Sequence, residues 1–393
     1  MQFVRVTLTL LLLAACACAQ KLTPLAPRPD WSSLEKFQRT ITREEFTRLL
    51  TQVYAPNDAW KGWFDIQPGH ATVVTSSGRP PFRLDFAPDS ASTERIARYW
   101  RRGEGVAGLR IAIDPGHLGG PWARMEERWF QIGSNKPVVE GDMTLHVARL
   151  LKGELEARGA KVFLTRDGSK PATSMRPEKL RQAAAASLRD QGRSITPAAV
   201  KAESERLFYR TAEIRARARK VNNSIRPDLV LALHFNAEGW GNPAHPTLVG
   251  ANHLHLLVSG CYSASELAYE DQRHDLMVKL LNRSGAEEIA VARRVADAMA
   301  RVTGLPPYTY SSSSATNAGS PYVWARNLLA NRLFECPVIY LEPYVMNNTD
   351  VHARVQAGDY KGLREINSAK RESIFREYVR GVVDGLVAYY GKR

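Results

Sequence analysis

The sequence predicts an α/β fold, a mixed sheet flanked by helices and preceded by a small α+β N-terminal region. Two observations carry that expectation. From about residue 106 onward, short aliphatic runs alternate with amphipathic stretches of helical period, the pattern of a layered α/β domain. Three of those runs end abruptly in a histidine or a carboxylate, as strands do when their carboxyl ends form the rim of a site.

The first run is "LRIAIDPGHLGGP", residues 109–121, where a buried strand stops at Asp114-Pro115-Gly116-His117. A tight turn accounts for Pro115 and Gly116 but not for His117. Residues 141–158 read as a helix with Leu145, Ala148, Leu151 and Leu155 on one face, closed by Gly159. "KVFLT" at 161–165 is the next strand. The stretch 169–222 is polar and alanine-rich and reads as a helical insertion. "DLVLALHF" at 228–235 is a third strand and 254–259 a fourth. An amphipathic helix follows over 287–302, and "TYSSSSATNAGSPY" at 309–322 reads as a loop by composition. "PVIYL" at 337–341 is a late core strand, and 374–389 is the closing helix. No internal repeat is visible.

Residues 20–105 form a separate lead-in of unassigned role. Thr42 and Glu45 are spaced as a capping box, with Ile41 and Phe46 placed to staple it. "ATVVTSSGRPPFRLDF" reads as two strands around a Ser-Gly-Arg-Pro turn, and a short helix is expected over 93–101. The main α/β domain is expected over 106–393.

Residues 1–19, within "MQFVRVTLTLLLLAACACAQ", read as a secretory signal: one basic residue, an apolar run, then small residues. Two cleavages compete, an A-x-A site before Gln20 and a lipobox-like Leu-Ala-Ala-Cys that would acylate Cys16 and tether the chain to a membrane. The expected location is therefore exported, periplasmic or anchored as a lipoprotein in a bacterial envelope. The net charge of +14, from 54 basic and 40 acidic residues, suits anionic polymers or membrane surfaces. Nucleic acid is not expected as a partner, because the chain is read as exported and has no compact basic motif with interleaved aromatics. Cys261 and Cys336 are the two cysteines outside the export region, too few for a disulfide framework; pairing and two buried thiols both remain open.

His117, His234 and Glu342 follow three strands, and Glu140 opens the helix after His117. If the strands are parallel neighbours, all four side chains converge. Two histidines and one carboxylate with a vacant fourth position make a catalytic zinc site, and a second carboxylate can carry protons for amide hydrolysis. Each residue also has a plainer reading. His117 can cap a turn, Glu140 can be an acid favoured by the helix dipole, His234 can be a satisfied core histidine, and Glu342 can pair with Arg166. "QPGH" at 67–70 nearly repeats 114–117, yet His70 reads as a surface turn residue. His253 and His255 share one strand face and read as packing or cleft lining.

Four stretches in order resemble the zinc-dependent N-acetylmuramoyl-L-alanine amidases of bacterial cell walls. "IAIDPGHLGG" is similar to the family's opening motif, and "VVEGDMTLHVARLLKGELEARGAKVFLTRDG" to the next. "DLVLALHFNAEG" is similar to the third, and "CPVIYLEPYVMNN" to the last. The resemblance implies zinc held by His117, Glu140 and His234, Glu342 as the catalytic residue, and peptidoglycan as substrate. The chain departs from the pattern in a long segment between His117 and Glu140 with Trp122, Arg124 and Trp129, in the enlarged 169–222 stretch, and in Pro343-Tyr344 after Glu342. The insertion reads as a lid or as a docking place for a protein activator. Two rivals stand beside the amidase reading: a non-catalytic wall-binding or regulatory protein, and a zinc hydrolase of another amide. The intact set of four residues argues against the first.

Overall fold

The computed structural model describes residues 21–76, 78–88 and 105–391. The expected signal segment with Cys16, and the helix expected over 93–101, lie outside the described residues. No helix among the described residues is long and apolar enough to cross a membrane.

In chain order, β1 (Phe64–Ile66), β2 (His70–Val73) and β3 (Phe82–Asp85) form a small antiparallel sheet. The main sheet takes β4 (Arg110–Pro115), and β5 (Trp129–Phe130) and β6 (Val138–Val139) pair as a short ribbon beside it. Further strands of the main sheet are β7 (Lys161–Leu164), β8 (Leu229–Leu233), β9 (Leu254–Val258), β10 (Thr316–Ser320), β11 (Val323–Ala325) and β12 (Val338–Pro343). A surface hairpin of β13 (Leu363–Ile366) and β14 (Ala369–Glu372) precedes the last helix.

The main sheet has seven strands in the order β10-β11-β9-β12-β8-β4-β7. β7, β4, β8 and β12 run parallel, and β12 then meets β9 antiparallel. β8 lies at the centre with all five residues buried, which is why "LVLAL" reads as one continuous apolar run rather than an alternating one. Side chains of β4 alternate between two cores. Ile111 and Ile113 face the helices Glu140–Glu156, Ser284–Thr303 and Ile374–Tyr390, while Ala112 faces Ala218, Val221, Ile225 and Phe334. The small residues Ala112 and Ala232 on the second face let the helices of the 169–222 stretch approach the sheet.

The lead-in completes its core with residues of the later chain. Trp31, Phe46, Leu50, Val73 and Leu84 pack with Tyr262, Leu276, Met277 and Leu280, the last three from a helix Glu270–Leu281 that the sequence pattern did not announce. Thr42 caps the Arg43–Leu49 helix by accepting from the Glu45 amide, but the Glu45 carboxylate pairs with Arg283 instead of closing the box.

Two expectations are corrected here, and the open question of the two cysteines is decided. Within the stretch read as a loop, Thr316–Ser320 is the edge strand β10: pairing with β11 supplies hydrogen bonds that composition does not reveal, and a bulge between Asn317 and Ser320 accommodates the glycine-serine content. His70 opens strand β2, with the short strand β1 before it, rather than sitting in a surface turn. Cys261 and Cys336 are unpaired and buried in separate cores, so no disulfide joins them.

Candidate active site

Parallel β4, β8 and β12 are adjacent, so their carboxyl ends lie side by side. After β4, the chain passes the His234 ring so closely that a Cβ on residue 116 would fall 2.2 Å from His234 Cε1, which restricts the position to glycine. His117 follows with a φ of +57°, a left-handed conformation uncommon outside glycine. Two buried guanidinium groups hold that turn. Arg166 donates to the carbonyls of Pro115, Gly116 and Gly141, and Arg217 donates to those of Pro115 and His117. Arg166 is thereby a brace for the site and not the ion-pair partner of Glu342.

Glu140 is the first residue of its helix and is buried. Its Oε2 lies 3.3 Å from His117 Nε2, and its Oε1 lies 3.0 Å from His234 Nδ1. The Phe235 amide donates to Oε1 at 3.2 Å, and Arg128 Nε lies 3.2 Å from Oε2. One donor atom from each of His117, Glu140 and His234 falls within 4.8 Å of the others. Tyr340 stacks flat under the His234 ring at 4.1 Å and fixes its plane. Behind His117, Glu126 accepts from the amides of Leu118 and Gly119 and stands 3.7 Å from His117 Nδ1.

Burial sets the protonation states. It drives the His117 imidazole down, which favours the neutral ring that can donate a lone pair. Burial alone would raise Glu140, but His117, His234 and Arg128 together hold its carboxyl well below the usual range. Glu342 has no such surround. Burial pushes its carboxyl up to about 7, His234 pulls against that and Glu140 adds to it. Two carboxyl groups on one rim thus have opposite tendencies, the separation expected when one is a ligand and the other exchanges protons.

The donor set fits a metal. Ligands held at about 2.0–2.2 Å in tetrahedral geometry lie about 3.3–3.6 Å from one another, and Glu140 Oε2 stands 3.3 Å from His117 Nε2 while Oε1 turns to His234. The four predicted side chains line one cleft of about 1010 Å³, together with Arg128, Tyr209, Arg210, Trp240, His255, Tyr308, Tyr310 and Arg326. His255 is therefore cleft lining, while His253 pairs with Glu238. Trp122 and Arg124 are not at the centre: Trp122 packs on Phe208, and Arg124 stacks on Trp129. Glu126, Arg128 and Tyr340 escaped sequence reasoning. "RMEERW" has no periodicity that singles out one acid, and Tyr340 reads as an ordinary strand residue.

Two histidines at neighbouring strand ends, Glu140 opening the helix between them in the chain, and Glu342 on the next strand form a site suited to hydrolysis. The family model described as N-acetylmuramoyl-L-alanine amidase matches residues 111–369, well over half the sequence, and the chain belongs to that family of enzymes. Solved structures to which the chain is similar include the apo N-acetylmuramyl-L-alanine amidase Ami1 of Mycobacterium abscessus. It is 17% identical, the match covers 72% of this chain and 99% of that one, and the TM-score is 0.41. Ami1 of Mycobacterium smegmatis is 16% identical over 74% of this chain and 100% of that one, with a TM-score of 0.41. The CwlD amidase of Clostridioides difficile, solved in complex with the GerS lipoprotein, is 13% identical over 72% and 98%, with a TM-score of 0.39. No curated protein matches the chain.

Proposed function

We propose that this amidase works through a zinc ion held by His117, Glu140 and His234, with Glu342 as the proton carrier, on the bond between N-acetylmuramic acid and L-alanine in peptidoglycan. The observation that carries the reading is the convergence of three donor atoms within 4.8 Å beside a carboxyl that burial has raised. Zinc, when bound, supplies a Lewis acid for the amide carbonyl and a water acidic enough to attack near neutral pH. Glu342 would accept a proton from the attacking water on its carboxylate and return it to the departing nitrogen of L-alanine, which cannot leave as an anion. Glu140, kept ionised, offsets the ion's charge, and Tyr340 holds the His234 plane. Glu126 sits where an outer partner orients the His117 ring.

The 169–222 insertion contributes Tyr209 and Arg210 to one wall of the cleft, which supports a role in closing over substrate or in receiving an activator. A wall substrate also supports export through the N-terminal segment, with acylation of Cys16 as the membrane tether and residues 20–105 as its connection to the catalytic domain.

Intact sacculi incubated with the zinc-loaded protein from Gln20 onward should release stem peptides whose free amine belongs to L-alanine, read by mass. Release of sugar fragments only, or of nothing while one zinc stays bound, would contradict the reading. For Glu126→Gln, zinc affinity should fall about 10- to 100-fold with the fold intact, because the His117 ring loses its orienting carboxylate. Competition with a chromogenic chelator measures it, and an unchanged affinity would remove Glu126 from the account.

A further inference from the structure

We infer that Arg326, held by Tyr310 beside His255, is a subsite for a carboxylate on the departing peptide, close to its new amine. The inference rests on the hydrolase reading above for the direction in which the peptide leaves.

Glu342 and His255 stand directly opposite each other on antiparallel β12 and β9, so both side chains project from the same face of the sheet. The donor cluster lies on the other side of Glu342, on β8 and β4. Tyr310 bridges His255 and Arg326. Its hydroxyl lies 3.2 Å from His255 Nε2 and accepts from Arg326 Nη1 at 3.3 Å. The same hydroxyl thus links the guanidinium to His255 Nε2 and leaves His255 Nδ1 outside the chain of hydrogen bonds. That Nδ1 is buried and has no partner among the described residues. Tyr308 packs on His255 at 4.9 Å and edge-on against Tyr310, so the wall is rigid and aromatic.

Of the arginines lining the cleft, Arg326 and the exposed Arg210, which stacks on Tyr209, have no ion pair among the described residues. Arg206, Arg215, Arg217 and Arg332 are each committed to a carboxylate, and Arg128 is committed to Glu140. The contacts of Arg326 are the hydroxyl and the ring of Tyr310, and among the described residues it has no ion pair. The buried Glu342 carboxyl feels the Arg326 charge without an ion pair to it, so this half-buried guanidinium keeps a planar fork free for a carboxylate.

The chemistry of the cut sets what arrives there. If Glu342 protonates the leaving nitrogen, the acyl group lies over the donor cluster and the peptide continues past Glu342, along His255 toward Tyr310 and Arg326. An extended peptide advances about 3.3–3.6 Å per residue, so the group read is one carried by the first residues after the amine. The ligand class is an acidic peptide beginning in L-alanine with a free carboxylate on the next residue, as opposed to the same peptide with that carboxylate amidated.

The test compares two tripeptides in which the γ-carboxyl of the second residue is joined to an amidated L-lysine, one with that residue's α-carboxylate free and one with it amidated, measured as binding by calorimetry to the zinc-loaded protein and as kcat/KM on the two corresponding muramyl tripeptides. The wild type should bind the free acid about 10- to 100-fold more tightly, the range of one charge-assisted pair. Arg326→Gln should remove that preference by weakening the acid about 10- to 100-fold more than the amidated peptide, so that the ratio of the two binding constants, and of the two kcat/KM values, falls toward one. Arg326→Lys, which keeps the charge and nearly the volume, should retain part of it and serves if the glutamine variant fails to fold. Equal binding of both peptides by the wild type, or a preference that survives Arg326→Gln, overturns the subsite. Discrimination in binding without any turnover would support the subsite and overturn the hydrolase reading; turnover without discrimination would do the reverse.

Discussion

Glu342→Gln should cut turnover of sacculi by about 10²- to 10⁴-fold, the contribution of a positioned proton carrier, while zinc content and melting temperature stay at wild-type values. The substitution keeps shape and volume and removes only the site that accepts a proton. Stability of the metal-free protein should hold at pH 7 and below, where a buried carboxyl raised to about 7 is at least half neutral and a neutral amide of the same shape replaces it. The pH profile carries the same signature with a definite sign. Glu342 must be ionised to accept a proton, so wild-type kcat/KM falls on the acid side as the carboxyl protonates. The value of about 7 belongs to the metal-free protein, and a bound dication nearby would draw it lower. The acid limb of the zinc-loaded enzyme is therefore expected below pH 7, and it should vanish from the residual activity of Glu342→Gln. An acid limb that persists in the variant would assign it to another group.

His234→Ala is the second large effect. It deletes one of three donors, so zinc should be lost on dialysis at concentrations where the wild type stays loaded, and turnover should fall to background. The loss of affinity should exceed the 10- to 100-fold expected of the outer partner Glu126. The alanine also removes the ring stacked on Tyr340, so a lowered melting temperature alone would not be diagnostic. Glu140→Gln serves as the companion, because it preserves volume and the amide contact from Phe235 while removing the charge that offsets the ion. Both variants should lose zinc. Retention of a full equivalent by either would place the metal elsewhere.

The strands of the main sheet were legible where burial is two-sided, as in β8, or where a run is bounded by punctuation, as at Asp114-Pro115-Gly116. β10 was not, since an edge strand is stabilised by its neighbour and not by its own composition. The helix Glu270–Leu281 was hidden for a related reason. It is buried on several sides, with Arg273 and Lys279 inside, so it lacks the polar face that makes an amphipathic helix visible. The meeting of His117, Glu140 and His234 could be anticipated because each terminates or begins an element, and parallel neighbours bring such ends together. The residues that brace and orient them could not. Arg166 and Arg217 act through backbone carbonyls, and Glu126 acts through two amides and one imidazole. None of these contacts follows a fixed spacing in the chain.

The most direct test of the account is anomalous diffraction at the zinc edge from crystals of the zinc-loaded protein. The account predicts one strong peak about 2.0–2.2 Å from His117 Nε2, His234 Nδ1 and a Glu140 carboxylate oxygen, with Glu342 facing it and not bound. No peak in that triangle, or one coordinated by Glu342 in place of Glu140, would contradict it.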